Sequence, residues 1–183
     1  MRTLTVACGL VLLSAVACRQ TPPIPSPSTS AAPKPDITLA ELMRGINFPN
    51  SNIIFNVQHY DPALPKPEYH PGNEPFSWIR WGQAIYPAWD EVQYAAGVLT
   101  EMPDLIQKPG RLCSNGKPVP LDRPDFVQFA EALRGAARVA LAAAREKDQA
   151  KVTEATNVLV DACVNCHNVY RNAPPGGERR CIP

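Results

Sequence analysis

Cys163-Val164-Asn165-Cys166-His167 is the stretch whose residue types and spacing most directly specify chemistry. Two thiols three positions apart share one face of a helix, so both can reach the two vinyl groups of a single porphyrin. The histidine that follows then lies under the ring, where a neutral imidazole nitrogen can bind iron. The five residues spell C-x-x-C-H, the attachment pattern of a c-type haem. Two other chemistries use a C-x-x-C pair. A dithiol redox centre belongs beside a βαβ pattern, and none is visible. Structural zinc needs four ligands; Cys113 and Cys181 are available, but the usual second close pair is missing. The expectation is therefore one haem c, held covalently by Cys163 and Cys166, with His167 on the iron.

The elements that must position these groups read as helices. Residues 36–183 are enough for one domain with a sizeable core. No internal repeat is evident and alternating strand patterns are scarce. Thr38-x-x-Glu41 is a capping-box pattern opening a first helix whose apolar face is Leu39, Leu42, Met43 and Ile46. Pro49 interrupts it, which predicts a kink or a restart through residues 52–57. The prolines between Pro62 and Pro75 make residues 61–75 an irregular excursion. A second helix runs from about residue 88 to 102, with Val92, Ala95, Ala96, Leu99 and Met102 on one side. Pro87 suits its first turn and Pro103 its end. Residues 108–121 form a loop. Phe126, Phe129, Ala130, Leu133, Ala137 and Ala140 mark a third, alanine-rich helix ending near Lys147. Val152, Ala155, Leu159, Ala162 and Cys166 mark a fourth, reaching about Arg171 and stopped by Asn172-Ala173-Pro174-Pro175-Gly176.

The fold class expected is all-α, an antiparallel four-helix bundle. Alternating directions bring the start of the first helix to the end where the fourth finishes. Met43 lies just over one turn into the first and His167 about one turn before the last stops, so the two can face each other across one haem. Met102 also lies near that end. A methionine on an apolar face is core filler by default, so Met102 is held in reserve. His59 and His70 belong to the opposite end, in or beside the excursion.

The amino terminus reads as an export signal over residues 1–17. Arg2 supplies the positive start, an apolar run spans Leu4 to Val16, and Ala15-Val16-Ala17 offers small residues before a cut. That run is shorter than the roughly 20 residues a membrane-spanning helix needs. Cys18 stands where a bacterial lipoprotein carries its acylated cysteine, although the leucine usual three positions earlier is Ala15. Ordinary cleavage leaving a free thiol is the other reading. Residues 18–35, rich in Pro, Ser, Thr and Ala, cannot bury a core and form a disordered spacer. At about 3.1 Å per residue it reaches roughly 50 Å from a membrane. Localisation follows: the periplasmic side of a bacterial cell envelope, tethered through Cys18 or soluble.

Of the six cysteines, Cys8 leaves with the signal, Cys18 is taken by the anchor, and Cys163 with Cys166 hold haem. Cys113 and Cys181 remain, each following a helix that ends at the haem end. A disulfide between them would clamp the tail there, as an oxidising compartment allows. The net charge of +1 falls to near neutral once Arg2 is lost. Bulk charge therefore argues neither for nucleic acid nor for a strongly charged partner, and no nucleic acid is expected.

A terminal helix written CVNCHNVYR, closing an alanine-rich antiparallel bundle, resembles the class II c-type cytochromes, the cytochrome c′ family. The architectural likeness runs from Thr38 to Arg171, and the specific motif covers only its end. The resemblance implies Cys163 and Cys166 as thioether anchors, His167 as proximal ligand, and Arg171 on the family's basic position one turn later. Arg171 can pair there with a haem propionate, or simply suit the helix dipole. It also implies either Met43 as sixth ligand in a low-spin electron carrier, or an open site that binds NO or CO. Some members pair through their first two helices, so a homodimer is a further expectation. The function expected is single-electron transfer to and from a redox partner protein in the envelope, not enzymatic turnover. A peroxidase would need a distal acid–base pair, and none can be read near Met43.

Overall fold

The computed structural model describes residues 33–64, 86, 89–172 and 181. The export signal, Cys18, most of the 18–35 spacer, the excursion beyond residue 64 and His70 lie outside the described residues. Those described are helical, with no strand beyond a single bridge between Leu112 and Pro118. None of their helices is long and apolar enough to cross a membrane.

The first arm is one continuous rod of three stretches: α1 (Leu39–Leu42), a π-helical segment (Met43–Asn47) and α2 (Phe48–Asn56). Its start is fixed by a complete capping box. The Glu41 backbone N–H donates to the Thr38 hydroxyl at 3.3 Å, and the Glu41 carboxylate accepts from the Thr38 backbone N–H at 2.8 Å. Pro49 does not end the arm: the α form gives way at Met43 and resumes at Phe48, with Pro49 in the first turn of the resumed stretch, a few residues earlier than the restart expected from the sequence. Proline brings no N–H and crowds the carbonyl four residues back. The turn just before it is opened instead, with Phe48 N–H donating to Met43 O, five residues back. A π turn so placed accommodates the proline without breaking the rod.

The second arm, α3 (Trp89–Ile106), likewise carries Pro103 inside it rather than at its end. The carbonyl a proline leaves without its helical donor is the one four residues back, here Leu99 O. Arg134 Nη1 donates to the next carbonyl, Thr100 O, at 2.7 Å, tying the neighbouring helix to this turn. Arg134 is itself held by Asp104 and Glu131.

The third arm is α4 (Pro124–Arg145) and the fourth α5 (Gln149–Tyr170). The intervening turn is residues 146–148, with Lys147 at φ 57° and Asp148 capping α5 by accepting from Lys151 N–H at 3.0 Å. So short a turn makes the two helices antiparallel neighbours. The arms pack in a closed order: α3 on α4, α4 on α5, and α2 on both α3 and α5. Leu42, Ile54, Val92, Leu99, Met102, Phe126, Leu133, Val152 and Leu159 fill the space between them. Each such side chain contributes about 1.5–3 kcal/mol by leaving water. The small Ala136, Ala137, Ala140 and Ala144 line the buried face of α4, where larger residues would hold the arms apart.

The loop between α3 and α4 fastens the other components of its end. Asn115-Gly116 makes the turn, with Gly116 at φ 80°, a conformation that costs glycine nothing. Leu112 O accepts from Leu39 N–H at 2.8 Å, tying loop to first arm. Arg111, 4% exposed, donates from Nε to Leu105 O at 2.7 Å and from Nη1 to Ile37 O at 2.8 Å. Cys113 of this loop is bonded to Cys181, with Cα atoms 5.7 Å apart.

Candidate functional site

The end that holds this loop also holds an apolar cleft, and four elements contribute to it. Leu39, Met43 and Asn47 come from the first arm, Ile106 from the finish of α3, and Phe126, Phe129, Ala130 and Leu133 from the start of α4. Ala162, Cys163, Cys166 and His167 come from the last turns of α5. Starts and finishes alternate, as they must when consecutive arms run in opposite directions. The opposite end is marked by Gln149 Nε2, which donates to Val57 O at 2.9 Å. The cavity enclosed between the walls is about 30 Å³, far below the span of cofactor sites, so these walls must part to admit a large ligand.

Helical spacing explains the α5 wall. Positions 159, 162, 163, 166 and 170 fall along one stripe, and Leu159, Ala162 and Tyr170 of that stripe are buried. Tyr170 packs edge-on against Phe126 at 5.0 Å and Phe129 at 6.3 Å between ring centres. It braces the aromatic wall rather than lining the cleft. Its hydroxyl sits beside the Arg123–Asp125 ion pair with no hydrogen bond of ordinary geometry.

Cys163 and Cys166 are free thiols, half-buried. Burial pushes both upward: Cys163 rises against a smaller opposing pull from Arg171, and Cys166 is pushed up to about 11 by burial, then Cys163 and Asp125. A dithiol nucleophile requires the opposite shift. Burial, aided by the Arg171 cation, lowers His167, which favours the neutral imidazole that a metal requires. The zinc reading loses its extra ligands, because Cys113 and Cys181 are bonded to each other. Among the described residues no three His, Cys, Asp or Glu side chains cluster at metal-binding spacing.

Met43, half-buried, faces the same cleft as His167 from the other terminus of the domain. Met102 is fully buried in the core and is not part of the cleft wall. His59 is exposed, just past the far end of α2. Arg171 stands outside the cleft lining, with Nε donating to Asn172 Oδ1 at 3.0 Å. The residue the sequence reading missed is Asn47. Its side chain is buried in the cleft wall and its Oδ1 meets no hydrogen-bond partner. The signal was present as a polar residue four positions after Met43, interrupting an otherwise apolar stripe.

The donor set, though not the present width of the cleft, suits a covalently held porphyrin. Two free thiols and an imidazole share one wall, aromatic and aliphatic carbon makes the sides, and a thioether and an unpaired amide stand on another arm. Comparison with protein-family models, with curated proteins and with solved structures returned no significant match. The functional reading therefore rests on sequence motif and geometry.

Proposed function

We propose that this chain is an exported c-type cytochrome with one haem c, passing single electrons to and from a redox partner protein of the bacterial cell envelope. Cys163 and Cys166 would hold the haem through thioethers, and His167 and Met43 would bind its iron. The observation that carries this is a single cleft lined by both cysteines, His167 and Met43, brought together from the two termini of the domain. Haem c supplies an iron that alternates between ferrous and ferric states.

The residues divide the remaining work. His167 offers a neutral nitrogen, and its backbone is fixed by N–H donation to its carbonyl from Arg171 at 3.0 Å and Asn172 at 2.8 Å. A soft thioether from Met43 favours the ferrous state and raises the reduction potential. Leu39, Ile106, Phe126, Phe129 and Leu133 keep water from the cleft, so little solvent rearranges when charge changes. Arg171, exposed beside the mouth, is available to a propionate. Residues 18–35 and a lipid on Cys18 place the domain at the periplasmic face of a membrane.

The competing reading is a five-coordinate haem protein that binds NO or CO. Met43 in the cleft lining argues against it, since that reading needs an inert residue at this place. A peroxidase is less well supported: the described lining holds no carboxylate and no second histidine.

The test is the exported, processed protein. Its mass should include one porphyrin, and its ferric spectrum should contain a methionine–iron charge-transfer band. Met43→Leu should abolish the band and yield a five-coordinate spectrum. Colourless protein refutes the haem; an unchanged Met43→Leu spectrum refutes Met43.

A further inference from the structure

Asn47 is the cleft residue that the fold itself does not explain. It is 7% exposed, and its Oδ1 is buried without a partner. Neighbouring polar residues of the first arm behave differently. Asn50 Nδ2 donates to Ile46 O at 2.7 Å, Ser51 Oγ to Phe48 O at 3.0 Å, and Asn52 Nδ2 to Phe48 O at 2.7 Å. Each is satisfied by its own helix, while the Asn47 amide faces the cleft. Folding alone would favour an apolar residue there, because a buried amide without a partner is destabilising.

The π segment supplies a second, independent observation. It begins at Met43 and ends at Asn47. In an α-helix, four residues overshoot one turn by about 40°. The wider i→i+5 turn carries them about 30° short of one line instead, so either way both side chains stay on one face of the arm. The opened turn therefore keeps amide and thioether on the wall of the same cleft, in addition to accommodating Pro49.

We infer that Asn47 is a positioning residue for Met43, its amide N–H donating to the thioether sulfur. The inference rests on the haem reading with Met43 as axial ligand. The two ends of an amide exchange by a half-turn about its last side-chain bond. A thioether offers only a weak acceptor, so the nitrogen is the end that meets it. The hydrogen bond restrains the sulfur and withdraws electron density from it, which favours ferrous iron. It also satisfies the amide end that is otherwise buried without a partner.

The experiment compares haem-loaded, full-length wild type with Asn47→Leu, which matches the side chain in size and lacks the amide. The expected variant keeps its haem. Its one-electron equilibrium moves about tenfold toward the ferric form, equivalent to 59 mV. Its ferrous form binds CO severalfold faster, because the sulfur is less restrained, and its thermal midpoint does not fall. An unchanged potential and CO rate overturn the inference, even if stability changes, since a merely structural amide would move stability alone. Should Asn47→Leu fail to fold, proton NMR of ferrous wild type decides: the Asn47 side-chain amide must show a through-space contact with the Met43 methyl. Its absence overturns the inference. Failure of the haem reading is distinguishable, because wild type would then lack the methionine band before any variant is compared.

Discussion

Replacing Cys113 and Cys181 together by alanine isolates the contribution of the disulfide at the cleft end. The bond joins residues 68 positions apart. Inserting a loop of that length into the chain-entropy relation gives about 4 kcal/mol at 25 °C, near the top of the usual range. Alanine is the appropriate replacement because both sulfurs are buried, at 1% and 6% exposure, and a serine hydroxyl would bury an unsatisfied group. The assay is urea denaturation of haem-loaded protein without reductant, wild type against the double variant. The midpoint should fall by the equivalent of about 3–4 kcal/mol. The slope should steepen as well, because an unlinked denatured chain exposes more surface. Equal midpoints and slopes would refute the reasoning, as would two alkylatable thiols at these positions in unreduced wild type.

Arg111→Met should destabilise by about 2–3 kcal/mol, because Leu105 O and Ile37 O both lose a charge-assisted donor; Arg111→Lys should restore little, since one ammonium lacks the planar fork. A loss under about 0.5 kcal/mol in urea titration would show the clamp to be inert. Acid should weaken the fold: the Glu41 carboxyl is held below its ordinary range by the Thr38 backbone and hydroxyl, Asp125 first by Arg123, and Glu131 first by Arg134. Each binds protons less readily folded than unfolded, so the stability present above the unfolded value is lost as pH falls through the folded one. The urea midpoint should decline below about pH 4, and Thr38→Ala should bring the Glu41 titration, followed by NMR, back toward normal. A midpoint that rises on acidification would contradict this sign.

The parts legible in the sequence are those encoded by neighbours along the chain. The capping box at Thr38, the alanine-rich face of α4 and the C-x-x-C-H turn of α5 each depend on residues within a few positions of one another. Periodicity also placed Met43 on the inner face. Pro103 misled because a local rule gives its penalty but not the packing that outweighs it: the helix runs on to Ile106, tied by Arg134 to its neighbour at Thr100 O. For Pro49 the interruption was legible but its form, a π segment just before the proline, was not. Arg111 carries no signal in the sequence, because its acceptor at Ile37 lies 74 positions away. Asn47 was passed over because alternation of apolar positions reports which face is buried, and says nothing about whether a polar intruder finds a partner.

The two cysteine pairs of the described fold end in different states, and this creates a sorting problem during maturation. Four thiols allow three pairings, and in a loose chain Cys163 and Cys166 meet far more often than Cys113 and Cys181, since short loops close most readily. An oxidant acting on the newly delivered polypeptide would therefore join the wrong two first and leave the motif blocked. If haem attaches as proposed, those neighbouring thiols must be kept reduced, or claimed by the porphyrin, while the distant pair is brought together by the folding arms. A reductant able to reach the chain before it folds is one way of keeping both outcomes open.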